Sequence, residues 1–104
     1  MKRVVWSDEA LADLLAIIQY IRQDNPAAAL RIAQRIQEAG NALETFATGR
    51  RGRVEGTFEK VLPPLPYILA YEILPQPDAA DDIVILHVIH GARDWPEGTW
   101  PGEE

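Results

Sequence analysis

The sequence predicts an α+β domain of order β-α-α-β-β-β, with an N-terminal strand and a helical hairpin packed on one face of a twisted antiparallel sheet. Three observations predict it. Two consecutive stretches, one behind Ser7 and one behind Asn25, carry apolar residues at spacings of three and four. Two later stretches, Tyr67 to Leu74 and Ile83 to Ile89, are dense in Ile, Leu, Val and Tyr. The segment ahead of them ends at Pro63-Pro64-Leu65-Pro66, which cannot donate to a sheet ladder and so reads as a turn. The 104 residues fit one domain, 1–104, around one core.

Lys2 to Trp6 reads as the first strand, because Val4, Val5 and Trp6 suit a pleated, partly buried surface. Ser7 is a good helix N-cap, and Asp8 and Glu9 suit the positive end of the helix dipole. The first helix is expected to reach about Asp24, with Leu11, Leu14, Leu15, Ile18 and Ile21 as its apolar stripe. Asn25 caps a second helix that has Pro26 at its first position, where no backbone N–H is needed. This helix is expected to run to Phe46 or Ala47 and to stop at Gly49. Its stripe, Ala29, Ala33, Ile36, Ala39 or Gly40, and Leu43, is mostly small, so the helices can approach closely as an antiparallel hairpin. Arg53 to Leu62 reads as a strand with Gly56 at a bulge. Residues 75–82 form a loop, and Ile83 to Ile89, apolar on both faces apart from His87, reads as a central strand. Residues 91–104, with Pro96, Gly98, Pro101 and Gly102, read as an irregular tail.

Composition excludes several classes. The chain is 47% hydrophobic and 25% charged, which suits a folded domain rather than a disordered one. Without cysteine it has no disulfide framework and no thiolate metal site, and no metal or cofactor is expected. The apolar start is too short for a signal peptide, and no stretch could span a bilayer, so the expected compartment is the cytoplasm, with no membrane partner. A net charge of −6 argues against free nucleic acid as a primary partner. Arg50, Arg51 and Arg53 nevertheless form a dense basic patch on this acidic body.

Four stretches carry a resemblance. They are Trp6-Ser7 through Asp13-Leu14; Tyr20-Ile21 with Asn25-Pro26-Ala27-Ala28-Ala29; Gly49-Arg50-Arg51-Gly52-Arg53 with Gly56-Thr57; and Pro66-Tyr67 with Tyr71, followed by Ile85 through Pro96. In this order and spacing the chain resembles the RelE/ParE superfamily of type II toxins, with the ParE-like branch favoured. The resemblance implies a toxin neutralised by a cognate antitoxin that wraps it, with oligomers formed through the antitoxin. One branch, RelE-like, cleaves mRNA on the ribosome. The other, ParE-like, acts on DNA gyrase and has no known catalytic triad.

Metal-free RNA cleavage needs a base, a cation for the developing phosphorane charge and an acid. The RelE-like pattern places lysines on the second strand, an arginine just after the third-strand tyrosine and another past the last strand. Aligned on Leu62, Tyr67 and Gly91, these positions fall on Glu59, Val61, Ile68 and Arg93, so Arg93 alone fits. Lys60 is one residue out of register, which in a strand puts it on the opposite face. A nuclease would have to work with Arg93, His90 and Lys60. His87 and His90, three apart on a strand end, point to opposite faces, and His87 reads first as a hydrogen-bonded strand residue. Without the nuclease set, the resemblance implies inhibition of gyrase by binding. Arg50, Arg51, Arg53, Arg93 and Trp95 are then the candidate target contacts. Their structural alternatives are a solvated helix-capping turn for the three arginines of the patch and a tail clamp for Arg93 and Trp95.

The last two strands are apolar on both faces, whereas two helices cover only one. Ile68, Ala70 and Leu74, or else the groove beside the helices, are therefore expected to lie exposed in the monomer. With Leu11 and Ile18 they are the candidate antitoxin contacts, suited to an amphipathic helix or an added strand.

Overall fold

The computed structural model describes residues 3–91 together with Gly98, Trp100 and Pro101. Among these, β1 spans Arg3–Trp6, α1 Asp8–Arg22 and α2 Pro26–Asn41, followed by a 3-10 turn over Ala42–Glu44. The remaining strands are β2 (Arg50–Arg51), β3 (Phe58–Val61), β4 (Tyr67–Leu74) and β5 (Asp82–His90). The sheet order is β1-β5-β4-β3-β2. The α+β class and element order are those expected, but the sheet is mixed: β1 pairs with β5 in parallel, while the other pairs are antiparallel. The helical hairpin carries the chain away from β1, and β1 is joined at the sheet edge by the last strand running in its own direction. A tight turn could not make that parallel neighbour.

Both helix starts follow their caps. The Ala10 N–H donates to Ser7 Oγ at 3.1 Å and the Ala28 N–H to Asn25 Oδ1 at 3.0 Å. Helix α2 ends earlier than expected, and the reason lies in β1. A Cβ on Gly40 would sit 2.4 Å from Trp6 Cζ2, so only glycine lets the Trp6 ring lie against the helix. The Trp6 indole N–H then donates to Asn41 Oδ1 at 3.2 Å, and the chain tightens into the 3-10 turn. Gly49 therefore caps no helix. With φ +148° and a notional Cβ 2.8 Å from the Glu59 carbonyl oxygen, it lets the chain pass close beside β3.

The expected strand from Arg53 to Leu62 is instead a hairpin, β2 to β3. Gly56 has φ +81°, a turn conformation rather than a bulge, and the Gly52 N–H donates to the Thr57 carbonyl at 2.9 Å to close the loop.

The core lies between the helices and one face of the sheet. Leu14, Ile36 and Leu43 pack there against Leu69, Tyr71, Ile83 and Ile85. Each such side chain contributes on the order of 1.5–3 kcal/mol by leaving water. On α1 the buried face is Ala10 and Leu14 with Ile17 and Ile18 beside them, whereas Leu11 and Leu15 stand out in solvent. The opposite face of the sheet corrects a further expectation. Ile68 and Ala70 are not exposed: they are buried with Ile89 beneath Trp100, so the chain's own tail supplies the missing cover. Leu74, farther along β4, does remain exposed.

Candidate functional site

Strand β1 pairs only with the first part of β5, from Asp82 to Ile85. Beyond it, α1 takes over the open edge. The Ser7 N–H donates to the Ile85 carbonyl at 2.9 Å and Ser7 Oγ to the Leu86 carbonyl at 3.1 Å. Asp13 Oδ2 then accepts the Val88 N–H at 3.0 Å and lies 2.9 Å from His87 Nδ1. The other side of the His87 ring meets Trp100, with centroids 4.7 Å apart. His87 is thus a strand residue bonded to a helix carboxylate. It pairs across the sheet with Ala70, whereas His90 pairs with Tyr67 and packs edge-on against its ring at 5.5 Å. The two imidazoles leave β5 on opposite faces, and both border a small hollow of about 270 Å³ at the strand edge, beside Asp13 and Ile17.

Lys60 is elsewhere. It pairs with Leu69 on the helix-facing side of β3, and its ammonium donates to Thr48 Oγ1. With β4 lying between their strands, Lys60 and His90 are about two strand spacings, roughly 10 Å, apart. Arg93 and Trp95 lie outside the described residues. Among the described residues, no cluster of three or more His, Cys, Asp and Glu could hold a metal ion, and no helix is long and apolar enough to cross a membrane.

The basic segment is divided by the alternation of the sheet. Arg50 pairs with Glu59 and Arg51 with Phe58, so the two side chains stand on opposite faces. Glu59 is only 3% exposed. Its Oε2 accepts the Arg53 N–H at 2.8 Å, and its Oε1 lies 3.5 Å from Arg50 Nη2. The tail reaches this hairpin as well, since the Gly98 N–H donates to the Arg53 carbonyl at 2.8 Å. The patch is therefore less basic than its sequence, because a buried acid lies under it. Sequence reasoning could have found this link only by recognising a two-residue strand.

Between α2 and β3 the sheet is left open. A groove of about 450 Å³ runs past Arg35, Ala39, Lys60, Val61 and Leu65. A second hollow of about 270 Å³ shares Ala39 and Lys60 with it and extends to Phe46 and Thr48. Phe46 is 71% exposed and Val61 45%. This is the groove beside the helices. Of the five residues expected to meet an antitoxin, Ile68 and Ala70 are buried, Ile18 is partly buried against the core, and Leu11 and Leu74 are exposed on separate elements. They do not form one surface. Phe46 was missed because it was placed at the end of a longer helix. Nearby, burial pushes the Tyr67 and Tyr71 phenols above their usual range, so they are neutral O–H groups at ordinary pH; Tyr71 donates to the Thr48 carbonyl at 2.8 Å.

Comparison with known proteins bears on this geometry. A family model described as the ParE toxin of the type II toxin–antitoxin system parDE matches residues 4–95. Y4kP of Sinorhizobium fredii, a toxin by name, is 41% identical over 97 residues, covering 92% of this chain and 95% of that protein. The toxin RelE2 of Caulobacter vibrioides is 38% identical over 95 residues, 89% of this chain and 99% of that one. A solved chain from the chromosomal ParDE toxin–antitoxin system of P. aeruginosa superposes with a TM-score of 0.77 at 26% identity, over 86% of this chain and 96% of its own.

Proposed function

This chain belongs to the ParE toxin family of type II toxin–antitoxin systems, and from that premise we propose that it inhibits DNA gyrase by binding. A cognate antitoxin follows from the family. The observation that carries the choice of inhibitor over nuclease is the content of the RelE-like catalytic positions. Glu59 is a buried acid bonded to the Arg53 N–H, Ile68 is buried beneath the tail, and Val61 has no charge to offer. Lys60 and His90, which would have to substitute for them, stand on strands separated by β4. A phosphorane-like transition state needs its cation and its acid within hydrogen-bond reach of one reacting group, and the separation of this pair by a whole strand supports the reading as an inhibitor.

The antitoxin reading rests on the groove between α2 and β3. Phe46 and Leu65 offer apolar contact, and Arg35 and Lys60 offer cations on the rim beside the Glu38 carboxylate. An amphipathic antitoxin segment carrying a carboxylate fits that pattern, and the complex then grows into larger oligomers through the antitoxin.

Brief induction of the chain without antitoxin tests the target. Gyrase-trapped DNA breaks with intact mRNA are expected. Cuts in translated mRNA with intact DNA would overturn the proposal in favour of the nuclease.

A further inference from the structure

We propose that Glu59 is a specificity-determining residue. Its carboxylate fills, from within the chain, an anion cradle formed by the Arg50 guanidinium and the Arg53 backbone N–H, and so bars the phosphates of nucleic acid from this face. The two oxygens of Glu59 take two different donors: Oε2 the Arg53 N–H at 2.8 Å, Oε1 the Arg50 Nη2 at 3.5 Å. A guanidinium beside a backbone N–H in a tight turn is the donor set that binds phosphate oxygens. The Arg50 side chain is 61% exposed, so the cradle opens to solvent even though its occupant is buried.

The hairpin that carries these donors is fixed from both sides. The Gly52 N–H donates to the Thr57 carbonyl at 2.9 Å, and the Arg53 carbonyl accepts the Gly98 N–H at 2.8 Å. A buried carboxylate is costly unless its lone pairs are satisfied, and here the groups that satisfy it are those a phosphate would need. The rest of the molecule acts in the same sense, because a net charge of −6 repels a polyanion at a distance. A partner that meets this edge is therefore selected as protein. Of the other carboxylates among the described residues, buried Asp82 pairs with Arg3 at 2.8 Å at the far edge of the sheet, and half-buried Asp13 closes a sheet edge by taking the Val88 N–H. The inference holds whether or not gyrase is the target.

Glu59→Ala removes the carboxylate and leaves the Arg53 N–H and the Arg50 guanidinium vacant. The purified wild-type protein and the variant are compared at low salt for binding of a fluorescent single-stranded RNA oligonucleotide. The Arg53 amide resonance is followed in parallel during titration with inorganic phosphate. The variant should bind RNA about tenfold more tightly than the wild type, corresponding to one charge-assisted phosphate contact. Its Arg53 amide should shift saturably while that of the wild type stays still, and adding Arg50→Ala should abolish both gains. A folded variant that binds no more tightly than wild type, or a wild type that already binds as well, overturns the proposal. If Glu59→Ala does not fold, Glu59→Gln carries the RNA arm of the test, since it keeps the shape and an oxygen for the Arg53 N–H but removes the charge. A gain in the same direction supports the proposal and no gain overturns it.

Discussion

Two carboxylates at opposite ends of the sheet make the same pair of contacts for different reasons. Asp13 reaches from α1 to the edge of β5, where it accepts the Val88 N–H and pairs with His87. Glu59 stands within β3, where it accepts the Arg53 N–H and pairs with Arg50. The Asp13 contact follows from topology. Because β1 stops at Trp6, part of β5 has no neighbour on that side, and a helix side chain must take its backbone donor. The Glu59 contact takes a turn N–H, that of Arg53, which lies outside any strand. The β2–β3 ladder is complete without it, and besides holding that turn it fixes the charge of a surface. One acid completes a fold, and the other decides what the folded surface can meet.

The largest effect that bears on this contrast is expected from Asp13→Ala. The Val88 N–H would lose its acceptor and the His87 ring its partner, at a cost of roughly 2–3 kcal/mol. For a domain of this size each kcal/mol lowers Tm by roughly 4–8 °C, so a thermal melt should show a drop well beyond 5 °C, with a smaller one for Asp13→Asn. A melt unchanged by Asp13→Ala would break the comparison, because solvent would then be serving the strand edge as well as the carboxylate does.

A middle-sized effect is expected where only the surface is touched. Phe46 is 71% exposed at the end of the groove, so Phe46→Ala should leave Tm within a few degrees. It should weaken binding of the antitoxin by about tenfold, the usual cost of losing one aromatic anchor. Calorimetric titration of the purified pair would measure it. Loss of Tm with unchanged antitoxin affinity would move Phe46 to the fold-holding side of the contrast and return the antitoxin to another face.

Local signals were legible in the sequence, and long-range ones were not. Ser7, Asn25 and Pro26 announce their helices because capping is settled within four residues. Strands β4 and β5 announce themselves because both are long and apolar on both faces. The parallel pairing of β1 was hidden, because a four-residue strand does not encode its partner. The early end of α2 was hidden in the same way, since it depends on the Trp6 ring meeting Gly40. The cover over Ile68 and Ala70 comes from Trp100, a residue of a tail that reads as irregular. The arginine patch was visible, but its division between two faces required a two-residue strand to be seen first. Asp13 gives almost no signal: it is an acid beside Leu14 on an otherwise apolar helix face, and its bond partner lies 75 positions away.

The smallest expected effect is the one that separates the two activities. Lys60 follows Glu59 in β3 and so stands on the opposite face, beside the groove. Its ammonium donates to Thr48 Oγ1 at an exposed position. Such a contact contributes about 0.5 kcal/mol, so Lys60→Ala should melt within a few degrees of wild type. If the chain acts by binding gyrase, no phosphate is cleaved and Lys60 has no charge to stabilise. Growth arrest without antitoxin should then persist at the same level of induction. If the chain cuts mRNA with Lys60 as its cation, arrest should vanish while the melt stays unchanged. Parallel measurement of melting and growth keeps the two cases apart, because a loss of toxicity that came from unfolding would appear in both.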